Sequence, residues 1–301
     1  MTSRHAVLVL GEALIDIVER DGGDAEFVGG SPANVAVGIA RQDVPATLLT
    51  CLGRDDRGRR IAEQVTASGA VVHEASWTDA ATSTARARLR ADGSAEYDFD
   101  IVWALEADAA AGAAAAASVV HSGSIALFLQ PGGDVALATL ERARQAGRVV
   151  TVDPNVRPAL VGPDPRPVAE RAFAAATLVK LSDEDAEALY PGVPAARVLE
   201  TIAARGPQIV VMTRGGEGAL ALGPSGLVEV APLVVDVADT IGAGDAFMAS
   251  LITSLVDDPG LLAGDADALP RALRRAVVTA GITVSRPGAN PPTRAEVDAT
   301  V

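Results

Sequence analysis

DTIGAGDAF, residues 239–247, sets three small residues directly before an apolar helical pattern that continues to Leu255. Amides at a helix N-terminus have no partner inside the helix, and the helix dipole attracts anions to them. Asp245 would lie in the first turn, where its carboxylate can accept a proton from an attacking hydroxyl. The segment therefore predicts a phosphate site beside a base, with the site formed by the backbone amides of Gly242, Ala243 and Gly244.

Outward from this segment, short apolar runs alternate with helix-length segments rich in Ala, Glu and Arg. This alternation is typical of an α/β protein with a mainly parallel sheet and helices on both faces. The predicted strands are residues 7–10, 47–51, 119–121, 149–152, 178–181 and 209–213, followed by a hairpin of 218–222 and 227–230.

Two stretches break this rhythm, residues 13–29 and 83–101, where short segments alternate apolar and polar residues. The second stretch contains a turn signal at Asp92-Gly93. We expect antiparallel strands that pair into a small sheet, a lid over one edge of a main domain made of residues 1–12, 30–82 and 102–301. Because an uncovered sheet face tends to be buried by a partner, we also expect a homodimer through the lid.

The composition excludes several classes of function. With 301 residues, 49% of them hydrophobic, the chain can bury a substantial core. The net charge of −14 argues against a nucleic-acid partner, which usually requires a basic face. The single cysteine, Cys51, cannot form an intramolecular disulfide, and the three histidines lack zinc-ligand spacing. Without a signal sequence or a run of roughly 20 apolar residues, we expect a cytoplasmic protein with no membrane partner.

A second glycine-containing segment, GGSPANVAVG at residues 29–38, has the composition of a ligand site. Ser31 is predicted to cap a helix that Pro32 begins, and the paired glycines let a ligand approach the backbone. Asn34 would then face the ligand with both donor and acceptor atoms. Alone, this segment could equally be a capped helix start, and the first segment a glycine turn before a helix.

Together, the two segments resemble the N-terminal and C-terminal signatures of the ribokinase-like (PfkB) carbohydrate kinases. Gly53 and Gly58 stand at the family's spacing, and the resemblance extends from about residue 6 to residue 298. It implies a ribokinase-like α/β fold with a β lid and an enzyme that transfers phosphate from ATP to a small sugar hydroxyl. Asp245 would be the general base, and Gly242, Ala243 and Gly244 the anion hole.

The resemblance also assigns the substrate-binding residues. Asp16 follows the first predicted strand, where parallel sheets place ligands. With this carboxylate, the positions that match the family's sugar site are Asp16, Gly30 and Asn34. Arg157, in the segment DPNVRP at 153–158, could hold a phosphate or substrate oxygen with two hydrogen bonds, although surface pairing is the commoner role of an arginine.

The nucleotide site is not a P-loop, since no Gly-x-x-x-x-Gly-Lys-Ser/Thr pattern is present. The turn TRGGEG at residues 213–218 resembles the family's nucleotide turn, whose glycines permit close approach to phosphates and ribose. The matching ATP positions are Thr213, Gly215 and Gly218, with Lys180 at a strand end. Val277 stands where related kinases often carry asparagine near the purine, so we expect mainly apolar contacts to adenine.

Two cation sites follow from the resemblance. Residues 182–185, SDED, stand where many members carry Asn-x-x-Glu, so Asp185 is a candidate for water-mediated contact with Mg²⁺, although Ser-x-x-Asp is equally an ordinary helix cap. The loop SRPGANPP at 285–292 resembles the family's terminal loop, which in many members holds a monovalent cation. Here that ion, K⁺, would lie with Asp239 and Ile241.

Within the family, the strings GEALIDI, GGSPANVA, DPNVRP and RPGANPP are most similar to those of fructokinases, so fructose is the expected substrate. The alternatives are a 2-keto-3-deoxygluconate kinase, a ribokinase or a nucleoside kinase, which differ in the lid and pocket. A non-catalytic sugar-binding regulator is a different class, with little reason to keep Asp245 beside the glycines. An NAD-dependent dehydrogenase is disfavoured because no Gly-x-Gly-x-x-Gly follows the first strand.

Overall fold

The computed structural model describes residues 6–19, 23–89 and 95–301. Within these ranges the strands are β1 (Val7–Leu10), β2 (Leu14–Val18), β3 (Ala25–Gly29), β4 (Ala46–Leu49), β5 (Leu52–Gly53), β6 (Val71–Val72), β7 (Trp77–Thr78), β8 (Thr84–Leu89), β9 (Ala95–Asp100), β10 (Val119–Gly123), β11 (Val149–Asp153), β12 (Leu178–Ser182), β13 (Ile209–Thr213), β14 (Ala219–Gly223) and β15 (Gly226–Val230). The helices are α1 (Ser31–Arg41), α2 (Asp56–Ala67), α3 (Ala107–Ala116), α4 (Gly132–Gln145), α5 (Arg166–Ala175), α6 (Asp183–Leu189), α7 (Ala195–Ala203), α8 (Ala243–Asp257), α9 (Gly260–Ala263), α10 (Ala268–Val284) and α11 (Arg294–Asp298).

A nine-stranded sheet forms the centre of the molecule, in the order β15-β14-β13-β12-β11-β10-β1-β4-β6. The strands from β13 to β6 pair in parallel, and β14 and β15 add an antiparallel hairpin at one end. This arrangement confirms the predicted α/β class, the six predicted strands and the predicted hairpin.

Helices cover both faces of this sheet, as β1 illustrates. Val7 and Val9 are fully buried in a core cluster that includes residues of α1, α8 and α10. Leu8 and Leu10 belong to a second cluster with residues of α4, α5 and α7. Since successive side chains of a strand point to opposite faces, the unbroken apolar run of β1 is what burial on both sides requires. No helix in the described ranges combines the length and apolarity needed to cross a membrane.

A separate four-stranded sheet has the order β3-β2-β8-β9. β2 pairs with β3, and β8 with β9, antiparallel as predicted, but β2 and β8 are parallel. Both strands leave the main domain at the same place, where the Ile15 amide donates to the Ser83 carbonyl at 3.0 Å, so they run in the same direction. The predicted Asp92-Gly93 turn lies outside the described residues. The role of residues 13–29 and 83–101 as a lid stays a prediction.

The two faces of the small sheet differ. Ile15 and Ile17 are buried in the core cluster shared with α1 and α8. Asp16 and Phe27 are directly opposite each other in the β2–β3 pairing, so they lie together on the other face, and both are exposed. On this second face, called the open face below, Asp16 and Phe27 are exposed while Leu14 and Ala85 are buried.

Candidate active site

The site lies at the edge of the large sheet where the parallel strands end. Asp153 is the last residue of β11, Lys180 lies near the end of β12, and Thr213 ends β13. Because these strands are parallel, their carboxyl ends share one edge, which is where open α/β sheets bind ligands. The structure therefore gathers residues from three predicted segments at this edge.

The N-terminus of α8 is formed by the glycines predicted as the anion hole. Gly242 is the N-cap with φ of 76°, and a Cβ atom there would lie 2.7 Å from the Cβ of Ala289, so both conformation and space favour glycine. Within the described chain, the amides of Gly242 and Gly244 have no hydrogen-bond partner. The Ala243 amide donates to the Thr240 carbonyl at 3.3 Å, so in this state two of the three predicted amides are free.

Asp245 is held by the other glycine-containing segment. Its carboxylate accepts a hydrogen bond from Ser31 Oγ at 2.6 Å and one from Asn34 Nδ2 at 2.8 Å. The prediction that Ser31 caps the helix is wrong: α1 begins at Ser31, and Gly30 is the N-cap without a side-chain cap. As the first helical residue, Ser31 turns its hydroxyl to Asp245, so segments more than 200 residues apart form one site.

Gly30, predicted to bind the sugar, lies in a restricted position. Its φ is 104°, and a Cβ atom there would lie 2.6 Å from the carbonyl oxygen of Glu12. The backbone at Gly30 is therefore pressed against the turn between β1 and β2. Any larger residue would displace the start of α1, which carries Ser31 and Asn34.

Asp16 follows β1 as predicted and lies inside β2, one of the strands expected in residues 13–29. A Cβ atom at Gly29 would lie 2.0 Å from Asp16 Oδ2, so the absent side chain of Gly29 makes room for this carboxylate. Desolvation raises the pKa of Asp16 to about 6, although the side chain is exposed. Neighbouring protein atoms therefore disfavour the charged form of this carboxyl even though part of its surface meets solvent.

Arg157 stands apart from the other predicted sugar-binding residues. It is exposed on the loop after β11, and within the described chain its guanidinium forms no hydrogen bond or ion pair with Asp16, Gly30 or Asn34. The structure therefore leaves its proposed contact with substrate as a prediction.

Lys180 brings positive charge to the N-terminus of α8. Its Nζ forms a buried ion pair with Asp153 Oδ2 at 2.8 Å, and a Cβ atom at Gly244 would lie 3.0 Å from Nζ. Burial acts to lower the pKa of Lys180, but the carboxylates of Asp153, Asp185 and Asp245 outweigh it and raise the pKa. Lys180 is therefore a cation beside the predicted anion hole.

His121 lies on the strand next to this ion pair but cannot carry a proton at neutral pH. Burial, with a smaller contribution from Lys180, lowers its pKa to about 3. Its Nδ1 lies 3.0 Å from Thr151 Oγ1, so the ring is a buried neutral group bonded to β11. The ring therefore adds no positive charge to the site at neutral pH.

Asp185 has the structural role that its sequence context allowed. With Ser182 it forms a capping box at the start of α6, and its Oδ1 accepts from the Val156 amide at 2.7 Å. Asp153 Oδ1, in contrast, is buried without a hydrogen-bond partner in the described structure. Among the described residues no group of three or more His, Cys, Asp or Glu side chains is placed to hold a metal.

The predicted nucleotide turn follows β13. Residues Gly215–Glu217 form a single 3₁₀ turn, and Gly218 after it has φ of 85°. A Cβ atom at Gly218 would lie 2.1 Å from the Val230 carbonyl oxygen, so this glycine lets the turn approach β15. Thr213 Oγ1 is directed to the Leu181 carbonyl at 3.5 Å, a weak contact that a ligand can replace.

Asp239 joins the DTIGAGDAF segment to the terminal loop. Its Oδ1 accepts from the Ile241 amide at 3.0 Å and its Oδ2 from the Gly288 amide at 2.9 Å. These backbone hydrogen bonds lower the pKa of Asp239, so it is ionised at neutral pH. The two segments predicted to share a monovalent cation are therefore adjacent, and the side chain of Ile241, in the first of them, is exposed.

Two acidic residues near the site were not identified as functional from the sequence. They are Asp153, in the segment DPNVRP, and Glu12, in the segment GEALIDI. Both are buried, with 2% and 4% of their surface exposed. The available signal was an acidic residue at the carboxyl end of a buried strand or within two residues of it.

Comparison with known proteins gives one consistent result. A sequence profile described as pfkB family carbohydrate kinase matches residues 4–296. Fructokinase-1 of rice, Oryza sativa subsp. japonica, is 32% identical over 321 residues, covering 99% of this chain and 98% of the rice protein.

Solved structures agree with the sequence comparison. A double mutant of the fructokinase of Vibrio cholerae O395, solved with fructose, ADP and a potassium ion, is 26% identical with a TM-score of 0.86. The superposition covers 99% of this chain and 98% of the Vibrio cholerae chain. The fructokinase of Xylella fastidiosa with bound ATP is 25% identical with a TM-score of 0.86, and 98% of each chain is covered.

Proposed function

The chain belongs to the pfkB family of carbohydrate kinases and is an ATP-dependent sugar kinase, and we propose that its sugar substrate is D-fructose. The choice of fructose is supported by identity to fructokinases over nearly the whole chain. The observation that carries the proposal is the contact of Asp245 with Ser31 and Asn34, because it joins the sugar-binding segment to the phosphoryl-transfer segment.

In this proposal Asp245 is the general base. Ser31 and Asn34 each donate a hydrogen bond to its carboxylate, which fixes the carboxylate at the N-terminus of α8. A sugar hydroxyl gives its proton to Asp245 while its oxygen bonds to the γ-phosphorus of ATP. The bond from that phosphorus to the bridging oxygen breaks, and ADP leaves with the electron pair.

The sugar and the nucleotide are bound on the two sides of Asp245. Asp16 accepts hydrogen bonds from sugar hydroxyls, with Gly30, Asn34 and Arg157 as further contacts. Thr213, Gly215 and Gly218 bind the nucleotide. The free amides of Gly242 and Gly244 and the ammonium of Lys180 stabilise the charge of the γ-phosphate, which is electrostatic stabilisation by preorganised donors.

The site fits a hydrated Mg²⁺ brought in with ATP. Mg²⁺ usually keeps several waters and takes one or two carboxylates together with substrate phosphates, so no cage of three protein ligands is required. Bound Mg²⁺ supplies positive charge to the β- and γ-phosphates. The unpartnered Asp153 Oδ1 can accept from a metal-bound water, and Asp185 is the proposed second acceptor.

A monovalent cation is proposed at the junction of two loops. Asp239 ties residues 239–241 to Gly288, and Ala289 contacts Gly242, so an ion bound there by Asp239 and Ile241 would act on the N-terminus of α8. K⁺ is the proposed ion. Its effect would be to hold the amides of Gly242 and Gly244 in place.

The proposal includes two further expectations. Residues 13–29 and 83–101 act as a lid that covers the sugar, which would keep water from the γ-phosphate. A cytoplasmic location remains expected, with sugar and ATP as the only small-molecule partners proposed.

The test is an ADP-release assay with purified protein and Mg²⁺ across fructose, ribose, 2-keto-3-deoxygluconate and adenosine. We expect the highest kcat/KM with fructose and phosphate transferred to a hydroxyl of the sugar. A higher kcat/KM with another acceptor would replace fructose by that acceptor and leave the sugar kinase assignment intact. Binding of fructose without ADP release from any acceptor would support a non-catalytic sugar-binding protein.

A further inference from the structure

Glu12 is a buried acidic residue near the site that the proposed reaction does not use. It lies in the turn between β1 and β2, with 4% of its surface exposed. No Lys or Arg side chain of the described residues forms a salt bridge with it. Removing a carboxylate from water without a cationic partner is costly, so such a group is expected to be neutral. In agreement, burial raises the pKa of Glu12 to about 8.

The side chain of Glu12 is bonded to the segment after β10. Its Oε2 accepts a hydrogen bond from the Ala126 amide at 3.2 Å, and the Ser124 hydroxyl also faces the carboxyl. Both groups act to lower the pKa of Glu12, but burial outweighs them. Ser124 has φ of 56°, a conformation that non-glycine residues adopt only when neighbours hold them there.

The backbone around Glu12 presses against the start of α1. A Cβ atom at Gly11 would lie 2.1 Å from Pro32 Cγ, and one at Gly30 would lie 2.6 Å from the Glu12 carbonyl oxygen. The turn therefore touches the helical turn that carries Ser31 and Asn34. The charge of Asp245 also acts on Glu12 and favours its neutral form.

We propose that Glu12 is a positioning residue: as a neutral acid it joins the β1–β2 turn to residues 124–126 and thereby holds Ser31 and Asn34 against Asp245. This inference rests on the proposed role of Asp245 as the base. Ionisation of Glu12 places a charge in a buried turn that has no cationic partner among the described residues, and adds a second negative charge near Asp245. The strain on the β1–β2 turn and the repulsion loosen the contact between α1 and α8.

The first test compares Glu12→Gln with Glu12→Ala in steady-state assays from pH 6 to pH 9.5, with the best sugar acceptor. Glutamine keeps a donor and an acceptor without a charge, so we expect kcat at pH 7 within about threefold of the unchanged protein. The loss of kcat that the unchanged protein undergoes above about pH 8 should be absent in Glu12→Gln. Glu12→Ala should lower kcat about tenfold or more at every pH, with little change in KM for ATP.

Two kinetic outcomes would contradict the inference. If kcat at pH 7 were as low for Glu12→Gln as for Glu12→Ala, the negative charge of Glu12 would be needed. If kcat of both variants equalled that of the unchanged protein across the pH range, Glu12 would have no positioning role.

The second test is independent of catalysis and uses melting temperatures of the ligand-free protein between pH 5 and pH 8. Because the pKa of Glu12 is raised in the folded state, its contribution to stability is complete below pH 4.5 and is lost as pH rises towards 8. Glu12→Gln should therefore gain melting temperature relative to the unchanged protein as pH rises. A constant difference would contradict a neutral Glu12.

Glu141→Gln is the matched control for this measurement. Glu141 is paired with Arg171 at 2.6 Å on the surface, and this pairing lowers its pKa. The difference in melting temperature between Glu141→Gln and the unchanged protein should stay constant from pH 5 to pH 8. If Asp245→Asn retained kcat, the proposed base would be wrong, but the melting comparison would still decide the protonation state of Glu12.

Discussion

Asp245 receives both of its side-chain hydrogen bonds from α1 and none from its own helix. A carboxylate at the start of a helix commonly interacts with the amides of that helix, and the sequence alone allowed this bland role. Donors from another element instead fix the carboxylate in one orientation at the mouth of the site. Its placement is therefore a tertiary property of the chain.

Replacement of Asp245 by asparagine tests its role directly. We expect kcat to fall by about 10²- to 10⁴-fold, because the amide cannot accept the proton, while the KM values for sugar and ATP change far less. Steady-state kinetics measures this effect. Asp257→Asn at the other end of α8 is the control, since Asp257 binds Arg294 on the surface. If kcat of Asp245→Asn were close to that of Asp257→Asn, Asp245 would not be the general base.

Asp16 predicts a pH dependence of sugar binding. Its pKa is raised to about 6, so the carboxylate predominates above pH 6 and the neutral acid below it. A neutral acid is a poorer acceptor for sugar hydroxyls, so KM for the sugar should rise as pH falls from 7 to 5. Asp16→Asn should have a high KM that does not vary over this range. If KM for the sugar in Asp16→Asn still rose as pH fell, the titrating group would be a residue other than Asp16.

At the scale of elements, the pairing of β2 with β3 sets the space around Asp16. Gly29 lies opposite Leu14, and a Cβ atom at Gly29 would overlap Asp16 Oδ2. Gly29→Ala should therefore displace the carboxylate and raise KM for the sugar about tenfold, with KM for ATP unchanged. Gly112→Ala in α3 is the control, because a Cβ atom there meets no atom within 4 Å. Equal sugar KM values for the two variants would contradict this account.

The elements of the large sheet could be predicted because their signal is local. β1, β10 and β12 are short apolar runs between helical patterns, and burial on both faces requires such runs. The direction of β8 relative to β2 could not be predicted, since it depends on where both strands leave the main domain. The same limit applies to Ser31: local rules favour serine as a helix cap, and only the distant Asp245 explains why it lies one residue further along.

At the scale of the whole molecule, the open face of the small sheet is the expected contact between two copies of the chain. Phe27 on this face is 52% exposed, and burial of a large aromatic side chain against a partner is favourable. We expect a dimer in light scattering, and Phe27→Ser should weaken it about tenfold or more. Val71→Ser, at the edge of the large sheet, is the control because Val71 is 57% exposed. A monomer at every concentration would contradict this expectation.

The individual residues of the candidate site could be predicted from the sequence, but the contacts between them could not. The family resemblance supplied Asp245, Asn34 and Lys180, each with a role. It did not supply the pairing of Lys180 with Asp153 or the burial of Glu12, because ion pairing and desolvation depend on which strands become neighbours. Carboxylates such as Asp153 gain their chemistry from those neighbours.

The contact between Ser31 and Asp245 spans 214 residues, which has a consequence for the growing polypeptide. At a synthesis rate of about 5–20 residues per second, Asp245 follows Ser31 by roughly 10 to 40 seconds. Gly288, which anchors Asp239, is added later still. During this interval the nascent chain has the segment proposed to bind the sugar but neither the proposed base nor the proposed phosphate site. On this proposal an unfinished chain on the ribosome cannot transfer phosphate from ATP, and catalysis begins only when residues 239–245 have reached α1.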